Sequence, residues 1–123
     1  MSETHLRAEP RSHYIAKEKV NIFKLDSVLE PYLQDSENRF LKIDTQGFEW
    51  QVLDGCSQSL SLFKGILCEL SFVQLYQSQH LWKDIMKRIE DSGFSLWAIQ
   101  PAFVDPLDGR TLQVNAIFFR DKI

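Results

Sequence analysis

Glycine is scarce in this sequence, and its distribution excludes one common kind of ligand site. The five glycines stand at positions 47, 55, 65, 93 and 109, so no two of them are close together. A dinucleotide-like site holds its ligand with a G-x-G turn between a strand and a helix, and with an acidic residue at the end of the next strand. The chain has no such turn, so each glycine is predicted to serve a turn or a helix cap.

Clustered positive charge and cysteine are also in short supply. The formal net charge is −3, and no group of basic residues offers a surface for a nucleic acid or an anionic membrane. Cys56 and Cys68 are not spaced like metal ligands, and their apolar neighbours favour buried free thiols over a disulfide. His5 and His13 lie in a polar segment far from His80, so no metal site is predicted.

Long apolar runs are missing as well. No run approaches the length of about 20 residues that crosses a bilayer. The first residues lack the apolar core of a signal peptide. Together with the expected free thiols, these patterns predict a cytoplasmic protein.

The residues that are present predict one domain preceded by a short arm. The chain of 123 residues is 44% hydrophobic, which is sufficient for one core. Residues 1–19 are polar and without a regular apolar period, and they are predicted to form an extended or partly disordered arm. The domain is expected to occupy residues 20–123. Residues 20–25 alternate like a half-buried strand, and Ser27 with Glu30 would cap a brief helix.

The rest of the chain alternates strand and helix. Residues 40–44 and 65–72 are apolar runs typical of buried strands, and a helix is predicted after each of them. Gly55 is predicted to end the first helix in the left-handed conformation, and Gly93 to end the second. Two β-rich runs around an Asp-Gly turn predict a terminal hairpin. The predicted fold class is α/β, a parallel sheet completed by an antiparallel hairpin.

Two acidic residues are site candidates because of where their strands end. Asp44 closes the first buried strand, and Glu69 lies near the end of the second. Ligands bind outside the carboxyl ends of strands in α/β sheets, so both carboxylates are predicted to share one crevice as catalytic or ligand-binding groups. Asp44 has an alternative role as an acceptor for amides at the next helix start. Glu69 lies among apolar residues and must be paired, protonated or turned toward a cavity.

Three stretches of the sequence resemble the second half of FkbM-type methyltransferases. They are FLKIDTQGFEWQVLDGC (40–56), GILCELSF (65–72) and GFSLWAIQPAFVDPLDGRTLQVNAIFFR (93–120), within a resemblance that runs from about Val20 to Arg120. The resemblance implies the C-terminal half of a class I, Rossmann-like fold that uses S-adenosylmethionine. It also implies O-methylation of a hydroxyl group, on a sugar or a secondary metabolite.

The resemblance extends the set of candidate site residues. It implies that Gln46, Gly47 and Glu49 border the methyl-transfer position and contribute to substrate binding. It also makes Asp44 a partner for the ammonium group of the cofactor. His80 precedes a helix and is a further substrate-binding candidate, although a lone histidine there is more often a surface or capping residue.

The missing glycine-rich turn departs from the family pattern. We therefore expect a partial methyltransferase domain that is inactive alone, whether a fragment, a truncated product or half of a split enzyme. The alternatives are a non-enzymatic relic that acts as a protein interaction module, and an α/β ligand binder that uses Asp44 and Glu69 without S-adenosylmethionine. Residues 40–44 would form a sheet edge, which predicts a homodimer or a partner that supplies the missing half, unless residues 1–25 cover that edge.

Overall fold

Four strands form one mixed sheet in the computed structural model, which describes residues 1–33, 35 and 37–121. The strands are β1 (Phe40–Ile43), β2 (Gly65–Ser71), β3 (Phe94–Val104) and β4 (Thr111–Arg120). The helices are α1 (Glu3–Ala8), α2 (Leu25–Val28), α3 (Glu49–Gly55) and α4 (Trp82–Asp91), with 3-10 turns at Pro10–Ser12, Glu30–Tyr32 and Leu60–Leu62. None of the helices in the described residues has the length and apolar composition needed to cross a membrane.

The strands lie in the order β1-β2-β4-β3 across the sheet. β1 and β2 run parallel, with Ile43 opposite Cys68, and β4 runs antiparallel to both of its neighbours. The predicted α/β sheet with a terminal antiparallel hairpin is therefore confirmed. The hairpin is longer than predicted because β3 continues through Pro101 to Val104. A proline is tolerated there since β3 lies at an edge of the sheet, where a missing amide donor costs little.

The main core lies between one face of the sheet and helices α3 and α4. Helix α4 turns Ile85 and Ile89 toward the strands, at the helical spacing seen in the sequence. Cys56 and Cys68 are free thiols buried in this core, as predicted. The remaining buried members of the core are Ile43, Leu53, Leu60, Phe63, Ile66, Leu70, Phe94, Val114, Ala116 and Phe118.

The opposite face of the sheet carries a row of aromatic side chains. The ring of Phe119 lies 6.1 Å from that of Phe40 and 4.8 Å from that of Trp97, measured between centroids. Gly65 makes room for the row, because a Cβ at this position would lie 2.6 Å from the Phe40 ring. Phe40 is 50% exposed and Trp97 is 66% exposed, so this aromatic row faces outward.

The strand predicted at residues 20–25 is wrong. The segment is largely exposed, and α2 begins already at Leu25. A strand needs a neighbour to complete its backbone hydrogen bonds, and none of the described strands pairs with this segment. The predicted capping box is also wrong, because the Ser27 hydroxyl donates to the Lys24 carbonyl at 2.7 Å instead.

The contact between α2 and α3 explains Gly55. This residue ends α3, but its φ is not positive, so the predicted left-handed cap is wrong. A Cβ at Gly55 would lie 3.4 Å from the Cα of Lys24, so the glycine permits close approach of the preceding segment. Asp26 holds that segment in place by accepting the amides of Gln58 and Ser59 at 3.1 and 2.9 Å.

The N-terminal residues include a helix where the sequence indicated only an arm. The Ser2 side chain caps α1 by accepting the His5 amide at 3.2 Å. The Ser2 amide donates to the Leu75 carbonyl at 2.6 Å, which fixes the start of α1 to the loop after β2. Six residues are too few for a hydrophobic period to register in the sequence, so this helix depends on its tertiary contacts. Residues 13–24 contain no helix or strand.

Two further contacts hold α1 against the hairpin. Ala8 packs with Leu75 and Leu112 in a small second core. Arg7 Nη2 lies 2.6 Å from an oxygen of Asp105, whose side chain is fully buried. The Leu107 amide and Arg7 lower the pKa of Asp105, so the ionised carboxylate anchors both the hairpin turn and α1.

Candidate functional site

The parallel pairing of β1 and β2 brings Asp44 level with Glu69. Ile43 is opposite Cys68, so the next residue along each chain reaches the same end of the sheet. Both carboxylates line an open cavity of about 370 Å³. The other lining residues are His5, Glu9, Gln46, Tyr76, Ala102, Phe103 and Gln113. The sequence-based expectation that the two acids share one crevice agrees with this geometry, and their roles stay predictions.

Glu69 is a cavity carboxyl group whose pKa is strongly raised. Burial, followed by the negative charges of Asp44 and Glu49, raises the pKa of Glu69 to about 7. A hydrogen bond with Asp44 acts in the same direction, whereas one with the Gln113 side chain opposes it. Glu69 therefore gains and loses its proton near neutral pH, which suits a group that donates or accepts protons during a reaction.

Glu49 holds the loop and does not line the cavity. Its side chain is 1% exposed, and its carboxylate accepts the Gly47 amide at 3.0 Å and 3.3 Å to its two oxygens. Burial raises the pKa of Glu49, and the charge of Asp44 adds to that effect. The substrate-binding role implied for Glu49 stays a prediction, and the observed contacts are those of a residue that holds the loop after β1.

Gln46 and Gly47 form a sharp turn against Tyr76. Both residues have positive φ angles, of 53° and 98°. A Cβ at Gly47 would lie 2.6 Å from the Tyr76 Cβ, so glycine is required by both conformation and space. The Tyr76 hydroxyl donates to the Gln46 side chain at 3.3 Å. Gln46 lines the cavity, whereas Gly47 does not line it and packs against the Tyr76 side chain.

The capping role considered for Asp44 is filled by Glu49. The Gly47 amide is directed to the Glu49 carboxylate. Asp44 keeps a partly exposed side chain, with Lys42 Nζ 3.9 Å from its Oδ2. An exposed pair at this distance contributes little free energy. Asp44 lines the cavity and, besides its hydrogen bond with Glu69, keeps accepting capacity for a ligand there.

His80 lies elsewhere and does not join the two acids. Its ring stacks on the Trp50 ring, with centroids 4.2 Å apart and planes 12° from parallel. Arg88 lies on the same tryptophan, 4.4 Å from the ring centroid. His80 therefore lines a separate hollow beside α4, and the predicted substrate-binding role for it finds no support at the Asp44–Glu69 cavity.

His5 is one of the cavity residues that the sequence did not indicate. It is 9% exposed, and its ring lies 5.3 Å from those of both Tyr76 and Phe103. Burial is the main cause that lowers the pKa of His5. No local pattern marks this residue, because it reaches the cavity only through the packing of α1 on the loop after β2 and on the hairpin.

A network of amide side chains supports the cavity floor. Ser71 Oγ accepts the side-chain amides of Gln79 at 2.6 Å and of Gln113 at 3.0 Å. The Gln79 side-chain oxygen in turn accepts the Leu75 amide at 2.9 Å. These bonds fix the Gln113 side chain beside Glu69, where it hydrogen bonds to that carboxyl group.

The described residues contain neither a cluster of metal ligands nor a glycine-rich turn. No group of three or more potential metal ligands lies together among them. The five glycines serve the turns and close contacts of the fold, so they provide no backbone cradle for a nucleotide-like ligand. The cavity walls, acidic and aromatic, are suited instead to a small polar molecule with hydroxyl or cationic groups.

Comparison with known proteins gives one match. A family model described as the methyltransferase FkbM domain matches residues 1–96. No curated protein and no solved structure matches the chain. The matched range contains α1 and both acidic strand ends, and it stops within β3. It therefore begins and ends earlier than the range of residues 20–120 expected from the sequence motifs.

Replacing Glu69 with glutamine should flatten the pH dependence of stability. The pKa of this group is raised to about 7 from an ordinary value of 4.5, so the folded protein keeps a proton that the unfolded chain releases. The stabilisation is full below the unfolded pKa and is lost as the pH rises through about 7. Partial exposure limits it to about 1–2 kcal/mol.

Urea melts between about pH 5 and pH 8 measure this difference between the wild type and Glu69→Gln. Subtracting the variant's free energy of unfolding from that of the wild type at each pH removes the opposite contribution of His5, whose pKa is lowered. Glu90→Gln, on the exposed side of α4, is the control and should keep the wild-type slope. A wild-type stability that declines no faster than that of Glu69→Gln would contradict the assignment.

The neighbouring acids Asp44 and Glu49 should respond differently to amide substitution. Asp44→Asn removes a charge that holds no loop amide, so the free energy of unfolding should change by less than about 0.5 kcal/mol. Glu49→Gln weakens a buried acceptor of the Gly47 amide and should cost more than about 1 kcal/mol. Urea melts at one pH compare the two. A loss above about 1 kcal/mol for Asp44→Asn would support the capping role.

Proposed function

Because the chain belongs to the FkbM methyltransferase domain family, we propose that it forms the acceptor side of an S-adenosylmethionine-dependent O-methyltransferase. The strand–helix alternation and the terminal antiparallel hairpin support its origin as the C-terminal half of a class I, Rossmann-like sheet. The free buried thiols of Cys56 and Cys68 support a cytoplasmic location.

The observation that carries this proposal is the meeting of Asp44 and Glu69 in one cavity. Bound S-adenosylmethionine supplies the methyl group of such a reaction. The chain's own part is to hold the acceptor hydroxyl and to take up its proton. Asp44 accepts the hydroxyl hydrogen bond, which places a carboxylate where it can act as the base. Glu69, with its pKa raised to about 7, exchanges protons with Asp44, and Gln46 orients the acceptor.

The acceptor is proposed to be a sugar or a secondary metabolite with several hydroxyl groups. Carboxylates and amides, which line this cavity, are good partners for hydroxyls. Aromatic rings such as Tyr76 and Phe103 suit the apolar faces of a ring-shaped acceptor. We also propose that the 123-residue chain alone is inactive, because its sequence contains no glycine-rich turn to hold the donor.

Titration of the ¹⁵N-labelled chain tests both sides of the reaction. Methyl β-glucopyranoside, as a hydroxyl acceptor, should shift the amides of Gln46, Gly47 and Tyr76 and saturate in the millimolar range. S-adenosylhomocysteine, as a stand-in for the donor, should bind no more tightly than millimolar, about −4 kcal/mol. Asp44→Asn should weaken glycoside binding, and His80→Asn should leave it unchanged.

Two results would count against the proposal. Micromolar binding of S-adenosylhomocysteine would show that the chain holds its own donor site. Absence of glycoside-induced shifts around Asp44 at the highest soluble concentration would contradict the proposal that the cavity binds the acceptor.

The second candidate function is a protein interaction module, favoured by the position of β1. This strand lies at the edge of the sheet, and its outer backbone groups pair with none of the described strands. Phe40 on this edge is half exposed. The predicted strand at residues 20–25 does not cover it. We propose that two copies pair antiparallel through β1, because a twofold contact closes on itself, or that a partner chain adds its own strand here.

Light scattering at micromolar concentration should show a dimer that a charge on this edge dissociates. Phe40→Glu places a carboxylate on the edge and should yield a monomer. Phe48→Glu is the matched control, because Phe48 is 45% exposed but lies outside β1, and it should leave the dimer intact. A wild-type monomer, or equal effects of both variants, would rule out a homodimer paired through β1.

A further inference from the structure

We propose that the Asp44–Glu69 cavity selects an acceptor that carries a protonated amine beside its hydroxyl groups. The inference rests on the proposed acceptor function and narrows it to one substrate class, an amino alcohol or amino sugar. Three features of the cavity carry it: uncompensated carboxylates, an unpartnered histidine and paired aromatic walls.

The charge of the lining is negative, and no lysine or arginine of the described residues lines it. Glu9 also belongs to the lining, but its carboxylate is already engaged by Arg11 at 2.8 Å and 2.9 Å. Lys42 approaches Asp44 only to 3.9 Å and lies largely in solvent. Asp44 and Glu69 share a hydrogen bond and carry a net negative charge that no lysine or arginine of the lining compensates, and a bound ammonium group would compensate that charge.

His5 supplies the second, independent feature. Its side chain is nine-tenths buried in the cavity wall, and Nδ1 has no hydrogen-bond partner among the described residues. Nδ1 has almost no accessible surface, so a bound N–H donor reaches it only when the His5 ring turns toward the cavity, and that contact would recover the free energy lost by burying Nδ1 without a partner. Burial lowers the pKa of His5, so the ring is neutral and offers an acceptor nitrogen. An ammonium group brings several N–H donors to this position.

The aromatic side chains beside His5 suit the same ligand. The rings of Tyr76 and Phe103 each lie 5.3 Å from the His5 ring, so three rings stand around one part of the cavity. Aromatic faces attract cations and also contact the apolar carbon atoms of a small ring. A phosphate or carboxylate ligand would meet two carboxyl groups and no lysine or arginine of the lining, so the cavity disfavours anionic acceptors.

Three cyclohexane probes of nearly equal size test the charge preference directly. They are trans-2-aminocyclohexanol, trans-cyclohexane-1,2-diol and trans-2-hydroxycyclohexanecarboxylate, which differ only in the group beside the hydroxyl. NMR titration of the wild-type chain should show the amino alcohol binding at least about tenfold more tightly than the diol, and the carboxylate should not bind. Glu69→Gln and His5→Phe should each reduce the amino alcohol's advantage over the diol. Glu90→Gln, outside the cavity, should preserve it.

The outcomes separate this inference from the proposed function. If the diol binds as tightly as the amino alcohol, the amine preference is overturned while the acceptor site remains. If none of the three probes binds, both fail. His5→Phe keeps an aromatic ring at this position, and circular dichroism of each variant confirms that it is folded.

A protonated amine in this cavity could belong to the acceptor or to the methyl donor, which also carries an ammonium group. L-methionine distinguishes these two sources. Methionine carries an ammonium next to a carboxylate, which the acidic lining should reject. It should therefore fail to displace the amino alcohol. Displacement by methionine at equal concentration would assign the site to the donor and overturn the acceptor assignment.

Discussion

The buried carboxylate of Glu49 holds the turn on which the candidate site depends. By accepting the Gly47 amide, it fixes the reversal from β1 into α3. Tyr76 closes over that glycine, because no side chain separates the two. The cost of burying Glu49 is offset by these amide bonds. This turn directs Asp44 and Gln46 toward the cavity. Glu49, which does not line the cavity, therefore sets its shape.

Local sequence patterns predict an element correctly where its own residues carry a clear period, apolar run or turn. The period of α4, the apolar run of β2 and the Asp-Gly turn of the hairpin each predicted their element correctly. The pattern failed at residues 20–25, where an alternating sequence has no described strand beside it to complete its hydrogen bonds. It also missed α1, whose stability comes from Asp105 and Leu75, residues far away along the chain.

The residues of the candidate site also divide into those that local sequence predicts and those that long-range packing brings in. Asp44 and Glu69 could be paired from the sequence because parallel strands bring successive carboxyl ends to one edge. His5, Phe103 and Gln113 could not, because each reaches the cavity by long-range packing. His80 shows the converse error. Its position before a helix suggested a role in the site. In the structure its ring stacks on the Trp50 ring and lines the separate hollow beside α4.

The aromatic row on the outer face of the sheet gives the protein an optical reporter. Trp97 is 66% exposed and makes an edge contact with Phe119, which touches Phe40 on β1. An indole in water emits at longer wavelength than one enclosed by apolar groups. Any molecule that covers this face would therefore shift the fluorescence of Trp97 to the blue and shield it from soluble quenchers.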